Sequence, residues 1–121
     1  MTLDRRGRIE TLEKRTDFVR VQRQGRKYVG RSCLLLVYPG PSEKPRVGFT
    51  ISRKVGNAVT RNRVRRRLRE IVRSYADGFC PNHDHVFIVR VQAVSATFVA
   101  LQKEVECLLK EASRSASSNA S

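Results

Sequence analysis

The chain has 121 residues, 40% of them hydrophobic, with 25 Lys or Arg against 11 Asp or Glu and a formal net charge of +14. That length fits one domain with a single modest core, and no apolar run approaches the roughly 18 residues a membrane span needs. The N-terminus is charged and mixed in sign, which speaks against a secretory signal. The three cysteines (Cys33, Cys80 and Cys107) form no close pair, as expected of reduced thiols in a cytosolic protein.

In chain order, residues 1–10 read as a flexible basic arm, residues 11–112 as one folded domain and residues 113–121, rich in Ser, Ala and Asn, as a disordered tail. Leu12 is an early core anchor. Thr16 and Asp17 carry the start signals of a short helix, Phe18 and Val21 share one of its faces, and Gly25 can close it. Residues 27–38 are rich in strand formers, and Pro39-Gly40-Pro41-Ser42 breaks them. Over 45–52 Val47, Phe49 and Ile51 alternate with Arg46, Gly48, Thr50 and Ser52, the pattern of a half-buried strand. The two strands flanking the Pro/Gly loop are expected to pair antiparallel.

After Gly56, Val64, Leu68, Ile71, Val72 and Tyr75 recur at helical spacing, one apolar stripe on a helix. A loop over 76–83 leads to a strand at 85–91. Ser95 is placed to cap a last helix with the stripe Phe98, Leu101, Val105, Leu108 and Leu109. The order is helix, strands, basic helix, strand, helix, which makes an α+β sandwich.

Charge is concentrated on the middle helix. Residues 53–73 hold nine Lys or Arg and one acid, Glu70, whereas residues 74–121 are nearly neutral. An ordinary solvated face mixes signs; this one barely does, and such density calls for a polyanion, a nucleic acid before a membrane surface. Arg61, Asn62, Arg63, Arg65, Arg66 and Arg69 are the central set. The guanidinium fork donates paired hydrogen bonds to phosphate and stays charged. The helix start at Asn57 adds free N–H groups.

Two other constellations carry less. Cys80, His83 and His85, with Asp84, have metal-like spacing, but strand geometry makes their side chains diverge. Asp17, Asp77, Asp84, Glu104 and Glu106 are scattered and form no paired carboxylate motif for nuclease chemistry.

The run Arg46-Val47-Gly48-Phe49-Thr50-Ile51-Ser52-Arg53-Lys54-Val55-Gly56-Asn57-Ala58-Val59, followed by Arg61-Asn62-Arg63, resembles the signature of the bacterial ribonuclease P protein subunit. Leu12, Asp17-Phe18, Val21 and Gly25 resemble its first helix, and Asp84 to Arg90 its last strand. The resemblance implies a single-domain αβββαβα sandwich with a central mixed sheet and a left-handed βαβ crossover through the basic helix, where the general rule favours right-handed crossovers.

It also implies a function: binding a catalytic RNA subunit and the 5′ leader of precursor tRNA, with Mg²⁺ held mainly by the RNA and no catalytic group in the protein. Gly56, Asn57, Arg61, Asn62, Arg63, Arg65, Arg66 and Arg69 would contact the catalytic RNA. Phe18, Arg53, Lys54 and Arg90 would contact the leader in a cleft between the first helix and the sheet. No membrane partner and no dinucleotide cofactor are expected.

Gln22 and Leu36 stand where the family carries aromatics, so leader binding here would lean more on Arg and Lys, or on Tyr28 and Tyr38. Phe18 itself reads equally as a core residue. Composition alone fits a ribosomal or other structural RNA-binding protein as well, and a self-sufficient nuclease lacks a catalytic set.

Overall fold

The computed structural model describes residues 6–119, with side chains as far as Ser115. Its elements are β1 (Glu10–Thr11), α1 (Arg15–Gln24), β2 (Arg26–Val29), β3 (Cys33–Pro39), β4 (Arg46–Thr50), α2 (Ala58–Ser74), β5 (His83–Val89), α3 (Gln92–Ser95) and α4 (Phe98–Asn119), with short 3₁₀ turns at Arg53–Val55 and Ala76–Gly78. Among the described residues no helix is long and apolar enough to cross a membrane.

The five strands form one mixed sheet in the order β1-β4-β5-β3-β2. β4 and β5 run parallel, whereas β3 is antiparallel to both β5 and β2. The expected pairing across the Pro/Gly loop is therefore corrected: β3 and β4 are not neighbours, because β5 lies between them. The reason is burial. Val86 and Phe87 are fully buried on opposite faces, and a strand apolar on both sides belongs at the centre of a sheet. Parallel β4 and β5 then need a long crossover, which α2 supplies.

One face of the sheet, with Leu35, Val47 and Phe87, packs against the α2 stripe of Val64, Leu68, Ile71 and Val72 and the α4 stripe of Leu101, Val105, Leu108 and Leu109. Burial at about 1.5–3 kcal/mol per large side chain holds α2 firmly to the sheet. The other face is covered only in part. There α1 lays Val21 and Phe18 on Leu36, Tyr38, Val86 and Ile88, with Leu12 closing the cluster.

Several boundaries differ from the sequence reading. Ile9 is fully buried, and Glu10–Thr11 add a parallel edge strand to β4, so this part of the expected arm joins the core; residues 1–5 lie outside the described residues. The helix expected to start at Thr16 or Asp17 is flanked by Lys14, without a side-chain cap. Asp17 is buried and accepts from Arg20 and, at 3.4 Å, from Arg46, an ion pair that outcompetes a cap. Gly25 ends α1 in extended geometry rather than the left-handed turn; a Cβ there would collide with the Val21 carbonyl. β5 covers 83–89 rather than 85–91. Thr97, not Ser95, caps α4 by accepting from the Ala100 N–H at 3.1 Å. The backbone of α4 continues helical through the Ser/Ala stretch to Asn119, where a disordered tail from Ser113 was expected.

α1 is tied down by charge as well as by apolar contact. Arg46 donates two hydrogen bonds to Asp84, at 2.7 and 2.6 Å, and Asp84 is almost wholly buried. Arg20 pairs with Asp17 and stands 4.0 Å from Asp84, so two arginines and two aspartates link helix to sheet. The Asp84 hydrogen bonds hold the Arg46 guanidinium above its usual pKa. Breaking such a buried pair from one side leaves an uncompensated charge, which costs far more than losing an exposed bridge.

His85 sits in the core with its ring edge-on to Phe79. Nδ1 is 3.3 Å from the Arg46 carbonyl, and Nε2 accepts from the Cys80 N–H at 3.3 Å, the neutral tautomer. Burial pushes its pKa down to about 4 from an ordinary 6.5. The unfolded chain thus binds the extra proton first as pH falls, and stability is full above pH 6.5 and declines between 6.5 and 4, by about 3 kcal/mol. Urea unfolding at pH 7.5 and 4.5 should show this loss, and His85→Gln, which cannot charge, should make the pH dependence shallower than in the parent.

Candidate nucleic-acid interface

α2 is built to present two faces. Asn57 caps it, its Oδ1 accepting from the Thr60 N–H at 2.9 Å, and Gly56 lets the chain pass close to Thr60, where a Cβ would stand 2.9 Å from Cγ2. The apolar stripe then turns inward, and the rest of the helix carries arginine. Arg63, Arg66 and Arg69 are exposed, and Arg61 and Arg65 half-buried. None of these five pairs with an acid among the described residues. Arg65 donates to the Asn62 Oδ1 at 2.7 Å, a contact that orders both side chains and leaves the Asn62 amide N–H outward. Arg61 Nε is buried without a hydrogen-bond partner, an unsatisfied donor beside a cationic surface. Arg67 is turned aside to the Ala96 carbonyl, at 3.4 Å.

Five acids are engaged away from this face, while Glu70 stands exposed on α2 itself. Asp17 and Asp84 hold Arg20 and Arg46, Asp77 holds Arg8 at 3.0 Å, and Glu106 holds Lys110 at 3.2 Å. Glu104 accepts from the backbone N–H groups of Ser32 and Cys33. Arg61, Arg63, Arg65, Arg66 and Arg69 therefore stand without an acid partner among the described residues, the electrostatic condition for gripping a polyanion.

Beside this face, past α1, a strip of the sheet is only partly covered, where the cleft between the first helix and the sheet is expected. Gln22 reaches from α1 to Thr50 on β4, donating from Nε2 at 3.1 Å. Thr50 is in register with Ile88, Ile88 with Leu34 and Leu34 with Val29. These four side chains form a row across the sheet, half-buried at Leu34 and Ile88 and 60% exposed at Val29. Arg53 and Lys54 lie exposed just past β4, and Arg90 just past β5, so the three stand together at the strand ends above this row. Phe18 sits lower, half-buried over Gly48, where a Cβ would run into its ring. It lines a hollow of about 120 Å³ with Leu12, Arg65 and Arg69.

The structure thus separates Phe18 from the cationic strand ends and joins it to the arginine face of α2. Leu36 is buried beneath α1 against Val21 and Val86, outside the open row. Tyr28 packs on the α4 side of the sheet and Tyr38 under α1, so neither replaces the missing aromatics. Sequence reasoning missed Thr50, Leu34 and Ile88 as the floor; strand alternation placed Thr50 on the right side, but only the β3–β5–β4 register brings the row together.

The remaining constellations take other roles. His83 is at 2.8 Å from the Pro81 carbonyl, and His85 points into the core, so the two rings diverge. Burial raises the Cys80 thiol. Asp17 and Asp84 do meet in space, contrary to the scattered reading, yet both serve arginines. No group of three or more His, Cys, Asp or Glu among the described residues is placed to hold a metal ion.

Replacing Arg61 and Arg65 together by Ala should weaken RNA binding by more than tenfold while leaving the melting temperature within a few degrees, because neither belongs to the buried stripe. A collapse in thermal melting would show that these side chains hold the fold.

The comparisons with known proteins agree with this geometry. The family model described as Ribonuclease P matches residues 7–113. The ribonuclease P protein component of Clostridioides difficile is 38% identical over 104 residues, 85% of this chain and 91% of that protein. The Brucella melitensis component is 41% identical over 107 residues, covering 80% and 75%. Among solved structures, the Staphylococcus aureus RNase P protein superposes with a TM-score of 0.77 at 28% identity, covering 84% of this chain and 94% of that one. The Thermotoga maritima RNase P protein gives 0.76 at 26%, covering 84% and 96%. With its hydrophobic seat, an Arg-Asn-Arg helix whose Arg61 and Arg63 meet no acid among the described residues, and a match spanning nearly the whole domain, the chain belongs to the ribonuclease P protein family.

Proposed function

We propose that the chain acts as the protein subunit of a ribonuclease P ribonucleoprotein, an endoribonuclease that removes the 5′ leader of precursor tRNA. The observation that carries this reading is the face of α2, with Arg61, Arg63, Arg65, Arg66 and Arg69 lacking acid partners beside a one-sided open cleft. The partner at α2 is the catalytic RNA, gripped by Arg61, Asn62, Arg63, Arg65, Arg66 and Arg69 and by the backbone around Gly56 and Asn57. The leader lies in the cleft, against the apolar floor and under Arg53, Lys54 and Arg90, with Phe18 at the border between the two RNAs.

In this role the protein supplies no nucleophile. It screens the repulsion between two polyanions and so strengthens substrate binding. Magnesium, held mainly by the RNA, would activate the attacking water and stabilise the leaving oxygen. A cytoplasmic location accompanies the reading, and the three unpaired thiols suit it.

Cleavage of precursor tRNA by the protein alone, the catalytic RNA alone and the two together tests it. The expected result is no cleavage by protein alone and strong stimulation of the RNA at near-physiological magnesium. Protein-only cleavage would instead indicate a self-sufficient nuclease, and no stimulation a structural RNA-binding protein.

A further inference from the structure

The floor of the cleft has two ends. At one end Thr50 and Gln22 adjoin β4, whose far side meets the arginines of α2 through the hollow at Phe18. At the other end is Val29, 60% exposed on β2, whose outer edge has no strand partner among the described residues. Three strand spacings, about 14 Å, separate these ends.

The turn joining β2 to β3 stands at the same end of the sheet as the C-termini of β4 and β5. The Arg90 N–H donates to the Ser32 carbonyl at 2.8 Å, which places Arg31 next to Arg90 in the line of cations begun by Arg53 and Lys54. Lys27, in register with Leu36, stands on the α1 side of β2 at its open edge. Arg31 and Lys27 are exposed and have no acid partner among the described residues.

The turn is also held from below. The Glu104 carboxylate accepts from the Ser32 N–H at 3.0 and 2.9 Å and the Cys33 N–H at 2.9 Å, and Gly30 leaves room for it, since a Cβ there would stand 2.6 Å from Oε2. Arg31 thus projects from a clamped hairpin rather than a loose loop. With Glu104 committed to three backbone contacts on the α4 side, its charge is met before it reaches the rim.

We infer that Lys27 and Arg31 form an exit rail on the β2 edge, which binds the backbone of leader nucleotides that have already crossed the cleft. The inference rests on the proposed leader site and names the part of the substrate that the new surface takes: single-stranded RNA distal to the cleavage point. A strand that enters beside α2 and follows Thr50, Ile88, Leu34 and Val29 leaves over this edge, and its phosphates meet the two cations there. Binding is by charge, without base selection, so the rail favours long leaders over short ones whatever their sequence.

The test compares the reconstituted holoenzyme carrying the parent protein with one carrying Lys27→Ala/Arg31→Ala, on precursor tRNAs with a leader of one or two nucleotides and one of about ten. The variant is expected to bind the long-leader substrate roughly tenfold more weakly and the short-leader substrate as the parent does. Its salt dependence on the long leader should be shallower by about 1.4 in log–log slope, for two single-strand phosphates released.

Equal binding of the long leader by variant and parent overturns the rail, leaving Lys27 and Arg31 as guards against edge-to-edge strand pairing. Equal weakening on both substrates overturns it too, assigning the cations to the tRNA body or the catalytic RNA. If the parent itself shows no preference for the longer leader, the leader cleft falls and the rail with it; Arg53→Ala/Lys54→Ala identifies that case by having no leader-dependent effect either.

Discussion

Everything functional in this molecule depends on one helix being seated so that its two faces cannot exchange. Val64, Leu68, Ile71 and Val72 are essentially inaccessible, and rotating α2 about its axis would bring guanidinium groups into the core. The hydrophobic stripe therefore orients the arginines. Five of the chain's acids are occupied away from that surface, two on α1's seat, one on Arg8, one on the β2–β3 hairpin and one on α4 itself. A protein with +14 in 121 residues repels itself. Here that repulsion is left standing on one surface, where an RNA can relieve it.

The second constraint is the seat of α1. A short helix with a narrow apolar face would hold weakly by burial alone. Arg46, Asp17, Asp84 and Arg20 add a part-buried ion network, and Gly48 and Gly25 let the helix approach the sheet closely at either end. Because α1 is fixed over only one part of the sheet, the other part stays open. That part stays open because the helix covering the face is too short to close it, and Gln22 bonded to Thr50 marks its border.

What could be read in the sequence was what local periodicity encodes. The stripes of α2 and α4, the alternation of Val47 and Phe49 and the density of arginine after Gly56 are patterns within one element, and each appears where expected. Pairing is not local. Nothing in the loop 39–45 says that β5 will come between β3 and β4; that follows from two-sided burial of Val86 and Phe87 in the assembled sheet. Asp17 looked like a helix-start residue; that it also meets Arg46 on β4, 29 positions away, was not visible locally. The floor of the cleft was equally out of reach, since Leu34, Ile88 and Thr50 come from three strands. The family resemblance named the arginine set and outlined a cleft as expectations, but not that Phe18 lines a hollow with Arg65 and Arg69, nor that Leu36 is sealed under α1.

The most direct measurement of the central claim is the salt dependence of assembly with the catalytic RNA. If the outward face of α2 and the turn before it neutralise about five to seven phosphates, log affinity should fall against log salt with a slope of roughly −4 to −6. A slope near zero would contradict the account, because it would mean that the unpaired arginines of α2 are not what holds the RNA.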